Sequence, residues 1–287
     1  MSLGELIESI AKKKGALLHY NVATYEQFKA GVEAAEETKI PLIIGVSEGE
    51  RNYLGINYIK DLIDAAKEQG INVFLNADHC KSAKSAREAI EYKFDSVLFD
   101  SSELDFQESI LRTKEIVDYR NKINKETLIE GEFDHILGHS DVENFIELKE
   151  EYFTSPEAAE EFVNKTNVDL LTISVGNIHG IPTKIKFKGK IYRKPKLDLA
   201  RIQAIKERVK IPLVLHGGSG LTKKDFLSAI EKGISIIHLN TEFRILWKKE
   251  LIKNLKQKTN VPYKILDKVL EKIKKKIIYY QKLFWYS

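Results

Sequence analysis

The chain has a single cysteine, Cys80, so no intrachain disulfide can form and a reducing, cytoplasmic setting is expected. No stretch approaches the roughly 20 consecutive apolar residues that a membrane span requires. The N-terminus, MSLGELIESIAKKKG, is charged and amphipathic and lacks the apolar centre of a secretory signal. Six prolines and 16 glycines in 287 residues are too few for a fibrous or low-complexity chain. A net charge of +4 is small for this length and argues against nucleic acid as the main partner. What is present is 43% hydrophobic and 31% charged residues, the make-up of a compact globular protein with enough core to fold without staples.

Eight short apolar or β-branched runs recur along the chain: ALLHYNV, PLIIGVS, NVFLNAD, SVLFDSS, TLIEGEF, LLTISVG, PLVLHGG and SIIHLNT. Between them, segments such as YEQFKAGVEAAEE, NYIKDLIDAAKEQ, LDFQESILRTKEIVDYRNK and LDLARIQAIKERV repeat apolar residues at helical spacing. Strands joined through helices are parallel, and eight such units close a barrel. The expected fold is therefore α/β, a single (β/α)8 TIM-barrel domain over residues 1–287, with residues 260–287 a basic C-terminal helical extension. A doubly wound open sheet is the other arrangement, but it would carry a glycine-rich phosphate loop after its first strand, and YNVATYEQ has none. Two connections, Asp134 to Thr154 and Gly176 to Leu197, are longer than a barrel needs and have the length of lids or binding loops. The basic final helix suits packing on the barrel or a neighbouring subunit; an anionic surface is the competing use.

Barrel chemistry sits where strands end on their C-terminal side. Read in order, those ends offer Asn21, Ser47, Asp78 with His79, Asp100, Glu132, His179, His216, and Asn240 with Thr241. A lone histidine at such a place is usually a loop residue, but three on separate strands beside three carboxylates suit a catalytic divalent metal, Zn²⁺ above all. Cys80 follows His79 directly, where a buried packing thiol is the ordinary role and a ligand the rarer one. In LHGGSGL, Gly217, Gly218 and Gly220 let backbone amides crowd an anion and Ser219 adds a hydroxyl, while Thr241 opens the next helix; a plain turn is the simpler reading of GGSG.

The stretches NVATYEQFKAGVEAAEETKIPLIIGVSEG, NADHC, DSVLFDSS, EGEF, VGNIHG, LVLHGGSG and LNTEFR, in this order, resemble the successive signatures of the class II, metal-dependent ketose-bisphosphate aldolases. The resemblance runs from about Asn21 to Arg244. It implies one Zn²⁺ on His79, His179 and His216, with Asp100 and Glu132 at a second or alternative metal position. It also implies Asp78 as the acid that handles the C4 hydroxyl proton, Gly180 and Gly217 near a monovalent cation (Na⁺ or K⁺), and Ser219 and Thr241 on a phosphate. The implied substrate is a small-molecule sugar phosphate, most directly fructose 1,6-bisphosphate, with tagatose 1,6-bisphosphate or a non-catalytic sugar-phosphate binder as alternatives. A homodimer or homotetramer is the family's habit, and no nucleic acid or membrane partner is expected.

Two places depart from the family pattern. Where a glutamate is usual in the loop after the fifth strand, this chain reads EFDHILGHSDVENF, with Ser140 at about that position and Asp141, Glu143 or His139 as substitutes for the second base; Asp141 is our choice. In IIHLNTEF, His238 replaces a substrate-binding asparagine, so His238 and Asn240 enter the candidate site. Lys184, with Lys186, Lys188, Lys190 and Arg193, is a candidate for a second phosphate, although a solvated loop explains the same charges. A Schiff-base aldolase would need a lysine at a strand end, and none of the eight has one. A metal hydrolase on this fold would bring paired histidines from its first strand, where LLHYN supplies only His19.

Overall fold

A computed structural model describes residues 1–139 and 145–286. Its centre is a closed barrel of eight parallel strands: β1 (Leu17–Asn21), β2 (Leu42–Ser47), β3 (Val73–Cys80), β4 (Ser96–Asp100), β5 (Leu128–Glu132), β7 (Leu170–Thr172), β10 (Leu213–Leu215) and β11 (Ile234–Leu239). Each coincides with one of the eight runs. β1 closes the ring by pairing with both β2 and β11. The helices α2 (Tyr25–Thr38), α4 (Ile56–Glu68), α5 (Ala83–Glu91), α6 (Phe106–Ile123), α7 (Pro156–Thr166), α8 (Leu199–Val209), α9 (Lys223–Glu231) and α10 (Thr241–Asn254) follow the strands in turn. Several start sharply because a side chain takes the orphan amides of the first turn: Thr24 before α2, Asp105 before α6, Ser155 before α7 and Thr222 before α9.

The barrel interior changes character along its axis. At the bottom, Leu17, Ile43, Phe74, Leu170, Val214 and Ile236 form one cluster with Leu3, Leu6, Ile7 and Ile10. The last four lie on α1 (Leu3–Lys12), so the amphipathic N-terminus is the plug of the barrel floor. Two residues further up seven of the strands, on the same face by the two-residue period of β-structure, stand His19, Gly45, Asn76, Glu130, Thr172, His216 and His238. Polar groups buried at this depth are expected to be paired or to serve a ligand.

The two long connections build a structure of their own. β6 (Ile146–Leu148), from the first, pairs with β8 (Ile185–Phe187) from the second, and β8 turns back onto β9 (Lys190–Tyr192). Ile146, Leu148, Phe153, Ile178 and Ile185 make its small core. A short helix that sequence periodicity did not reveal, α3 (Glu48–Leu54), follows β2 directly. The final helix, α11 (Pro262–Trp285), packs on α2 and α10. Gln281 donates to the Ile40 carbonyl at 2.7 Å, the Phe284 carbonyl accepts from Ala16 N–H at 2.9 Å, and the Tyr280 hydroxyl donates to Glu242 at 2.9 Å, so this helix belongs to the barrel wall. Among the described residues, no helix is long and apolar enough to cross a membrane.

Candidate active site

His79, the last residue but one of β3, is in the left-handed region (φ 48°), and its ring lines the barrel mouth. Its Nδ1 lies 2.9 Å from Asp100 Oδ2, at the end of the neighbouring β4, leaving Nε2 for the mouth. His216, just past β10, is buried, and its Nε2 lies 3.1 Å from Glu130 Oε1, which leaves Nδ1. His179 sits in the connection after β7, whose path is fixed from within by Asn177: Nδ2 donates to the His216 and Ile173 carbonyls and Oδ1 accepts from Val175 N–H. The His179 N–H donates to the Leu137 carbonyl at 2.8 Å, tying the two long connections together at the metal-side loop. The result is that one ring nitrogen from each of His79, His179 and His216 lies within 4.8 Å of the other two.

Two of the three rings are already in the neutral form that ligation needs, and the third, His79, must give up a proton to bind a metal. Burial, with His79 and other imidazoles nearby, pushes His216 down to about 3 and His179 well below the usual histidine range, so both are neutral donors. For His79 burial acts in the same direction, but Asp78, Glu132 and Asp100 outweigh it and push the ring up to about 10. Three imidazoles with converging nitrogens and a fourth side left to a ligand are the donor set of a catalytic zinc site, and these residues fit it. Asp100 and Glu130 hold two of them by their other nitrogens, as the outer carboxylates of such sites do.

Asp78, one residue before His79, is buried and held from one side only. Asn21 Nδ2 donates to its Oδ2 at 2.9 Å, while its Oδ1 has no hydrogen-bond partner among the described residues. Although burial opposes ionisation, His79, His238 and His19 hold this carboxyl well below the usual carboxylate range. Glu132, by contrast, is driven well above that range by burial, against the pull of His79 and with Asp100 adding to the rise.

The family described as fructose-bisphosphate aldolase class-II matches residues 1–286. The chain belongs to this family. A fructose-bisphosphate aldolase of Geobacillus stearothermophilus is 31% identical over 97% of this chain and 94% of its own, and that of Mycoplasma pneumoniae is 31% identical over 88% and 83%. Among solved structures, the YdjI aldolase of Escherichia coli K12 superposes with a TM-score of 0.80 at 25% identity, covering 99% of this chain and 96% of that one. The protein is accordingly an aldolase, a carbon–carbon lyase of class II.

Within this aldolase, the three histidines share a cavity of about 200 Å³ with Asn21, Ser47, Asp78, Gly180, Gly217, Ser219, His238, Asn240, Thr241 and Arg244. Gly217 is glycine for space as well as conformation: at φ 60° a Cβ would lie 2.4 Å from the Ile178 carbonyl oxygen. Asn240 makes no side-chain cap on α10, and Ser219 Oγ accepts the Glu242 N–H at 3.3 Å, so the start of this helix faces the cavity. Asp100 and Glu132 line an adjoining cavity with His79, His135, His139 and Ser102, and with His79 they form a second group of potential ligands. Gly218 lies beneath, its N–H donating to the His238 carbonyl.

Some expected residues are elsewhere. Lys184 is exposed, and its carbonyl serves the β6–β8 pairing; it does not line the cavity. Lys186 and Lys188 pair with Glu147 and Glu150 at the surface of the small sheet and its flank. Asp141, with Ser140 and Glu143, lies outside the described residues. Cys80 is buried beside Arg51 and joins no ligand group among the described residues.

Sequence reading missed three contributors. Glu50 bonds Asn21, Ser47 and Arg244 at 3.1, 2.8 and 2.6 Å and so organises one wall of the cavity. Its signal was the Ser47-Glu-Gly-Glu50 capping box that starts α3. Arg244, one turn into α10, is the cation that lines the cavity. Glu130 stands two residues before Glu132, on the same inward face, inside β5 and not at its end, so strand-end position gives no signal for it.

Proposed function

We propose that this aldolase cleaves and forms a ketose 1,6-bisphosphate, fructose 1,6-bisphosphate in the first instance, with one zinc ion on His79, His179 and His216. The observation that carries the reading is the meeting, in one cavity, of three convergent imidazole nitrogens and Asp78, whose Oδ1 has no partner among the described residues. Zinc supplies Lewis acidity that spreads the negative charge developing beside the substrate ketone.

The rest is done by the chain. Asp78, ionised and aimed at the cavity, accepts the proton of the C4 hydroxyl as the C3–C4 bond breaks. Asn21 prevents the carboxylate from turning away. Gly217, Ser219, Asn240 and Thr241 present amides and hydroxyls at the start of α10, where one phosphate is accommodated, and Arg244 offers the charge for the other. Asp100 and Glu130 fix the orientation of His79 and His216.

The test is cleavage of fructose and tagatose 1,6-bisphosphates by zinc-loaded protein in a coupled assay, with chelated protein and Asp78→Ala as controls. Cleavage lost in both controls and restored to the chelated protein by Zn²⁺ or Co²⁺ is the expected result. The ratio of kcat/KM for the two sugars decides the configuration at C4. Tight binding of one zinc with cleavage of neither sugar would refute the proposal and favour a binding paralogue.

A further inference from the structure

Asp78 Oδ1 faces His238 Nδ1 across 3.6 Å, too far for a hydrogen bond between them. Both atoms are buried, and neither has a partner among the described residues. An oxygen about 2.7 Å from the carboxylate and about 2.9 Å from the ring nitrogen closes a triangle on that base, so the separation matches one bridging hydroxyl once the two buried atoms open to it. Both side chains line the cavity that contains the three convergent histidines.

His238 cannot leave this position easily. Its partner in register on β1 is His19, whose ring lies flat beneath it with centroids 3.4 Å apart and planes 1° apart. On its other side is His216, at 3.8 Å between centroids. His19 is itself anchored, its Nε2 lying 3.0 Å from Asn76 Oδ1, and the whole column depends on Gly45, where a Cβ would fall 2.0 Å from His19 Cε1. A ring clamped on both faces and open at one nitrogen is a preorganised contact to a ligand.

Resting on the reading above, we propose that His238 is a catalytic hydrogen-bond donor to the C4 oxygen, the same oxygen whose proton Asp78 accepts. In cleavage the C4 O–H bond breaks and its proton passes to Asp78 Oδ1. The electron pair left on oxygen becomes the second bond of the product aldehyde, and the C3–C4 pair remains with C3. His238 keeps its Nδ1 proton throughout and bonds the oxygen while negative charge passes through it. In the synthetic direction the same N–H polarises the aldehyde before attack, and Asp78 returns the proton. No oxidant or reductant is involved.

Dihydroxyacetone phosphate has no C4 oxygen, so exchange of its C3 proton with D₂O reads the ketone side of the site alone. His238→Phe keeps a flat ring in the column and removes the donor. In the zinc-loaded variant we expect cleavage of the bisphosphate to fall by about 100-fold or more while exchange stays within about three-fold of wild type. His238→Asn, which returns a shorter amide donor, should lose less cleavage than His238→Phe, at least about five-fold, again with exchange intact; it serves alone if the phenylalanine variant does not fold. Parallel loss of cleavage and exchange, or loss of neither, overturns the assignment of His238. Wild-type protein that neither cleaves nor exchanges overturns instead the proposed function, and the assignment with it.

Discussion

Gly45→Ala tests whether the histidine column is a built part of the barrel. Gly45 has an ordinary strand conformation, so alanine carries no backbone strain there, and in an empty site it should stabilise the strand by about 0.5–1 kcal/mol. The site is not empty, since the new methyl would lie 2.0 Å from Cε1 and 2.3 Å from Nε2 of His19. The ring must move by more than an ångström, which costs about 1–3 kcal/mol in overpacking. The motion also breaks the buried contact of His19 with Asn76, worth about 1–3 kcal/mol when a partner is left unsatisfied. Together these give a net loss of about 3 kcal/mol, or a fall in Tm of about 6–12 °C. In a His19→Ala background the space is already open, and the same substitution should be neutral or stabilising. Urea unfolding of the wild type, both single variants and the double variant closes the cycle, with an expected coupling of about 3–4 kcal/mol. Equal cost of Gly45→Ala in both backgrounds, to within about 0.5 kcal/mol, would refute the argument.

Three further expectations concern buried groups. Glu130→Gln removes the charge behind His216 and should weaken zinc binding by about 10- to 100-fold in competition with a fluorescent chelator; unchanged affinity would deny Glu130 its supporting role. The Cys80 thiol, pushed up to about 11 by burial despite the nearby Arg51 charge, should be silent to a disulfide reagent in native protein and react once per chain in guanidinium, so rapid native reaction would contradict its placement. Burial pushes Asp134 up to about 6, with Thr154 and Arg201 offsetting part of the rise. Because the unfolded chain gives up this proton near pH 4, ionised Asp134 costs stability progressively as pH rises from about 4 to about 6 and fully above that. Asp134→Asn should therefore be the more stable protein by about 3 kcal/mol at pH 7.5 and within about 1 kcal/mol of wild type near pH 4, as measured by urea unfolding at the two pH values. An advantage independent of pH would show that packing, not charge, is responsible.

Much of the architecture was legible because barrels write themselves locally. Each strand is a short apolar run and each helix a longer periodic one, and alternation alone fixes parallel pairing and the end at which the site lies. His79, His179 and His216, the proposed ligands, were therefore readable as residues at or just past strand ends, and their ring nitrogens do converge. That Lys184 lies away from the cavity was not legible, because a charged loop resembles a phosphate site until one knows that its neighbours Lys186 and Lys188 meet Glu147 and Glu150 from a different loop.

The sequence by itself determined the order of strands and helices, the acid beside His79, and the glycine-rich turn before the last strand, all of which depend on neighbours in the chain. Only the tertiary structure decided what stands opposite what. That His19 lies flat on His238 follows from the closure of β1 against β11, residues more than two hundred positions apart. That Glu50 joins Asn21, Ser47 and Arg244, and that one oxygen of Asp78 faces His238 without a partner among the described residues, follows from four strands and two helices meeting at one rim. Hydrogen bonding and ring stacking act over about 3 to 4 Å, so they are set by the folded barrel's register and not by spacing along the chain.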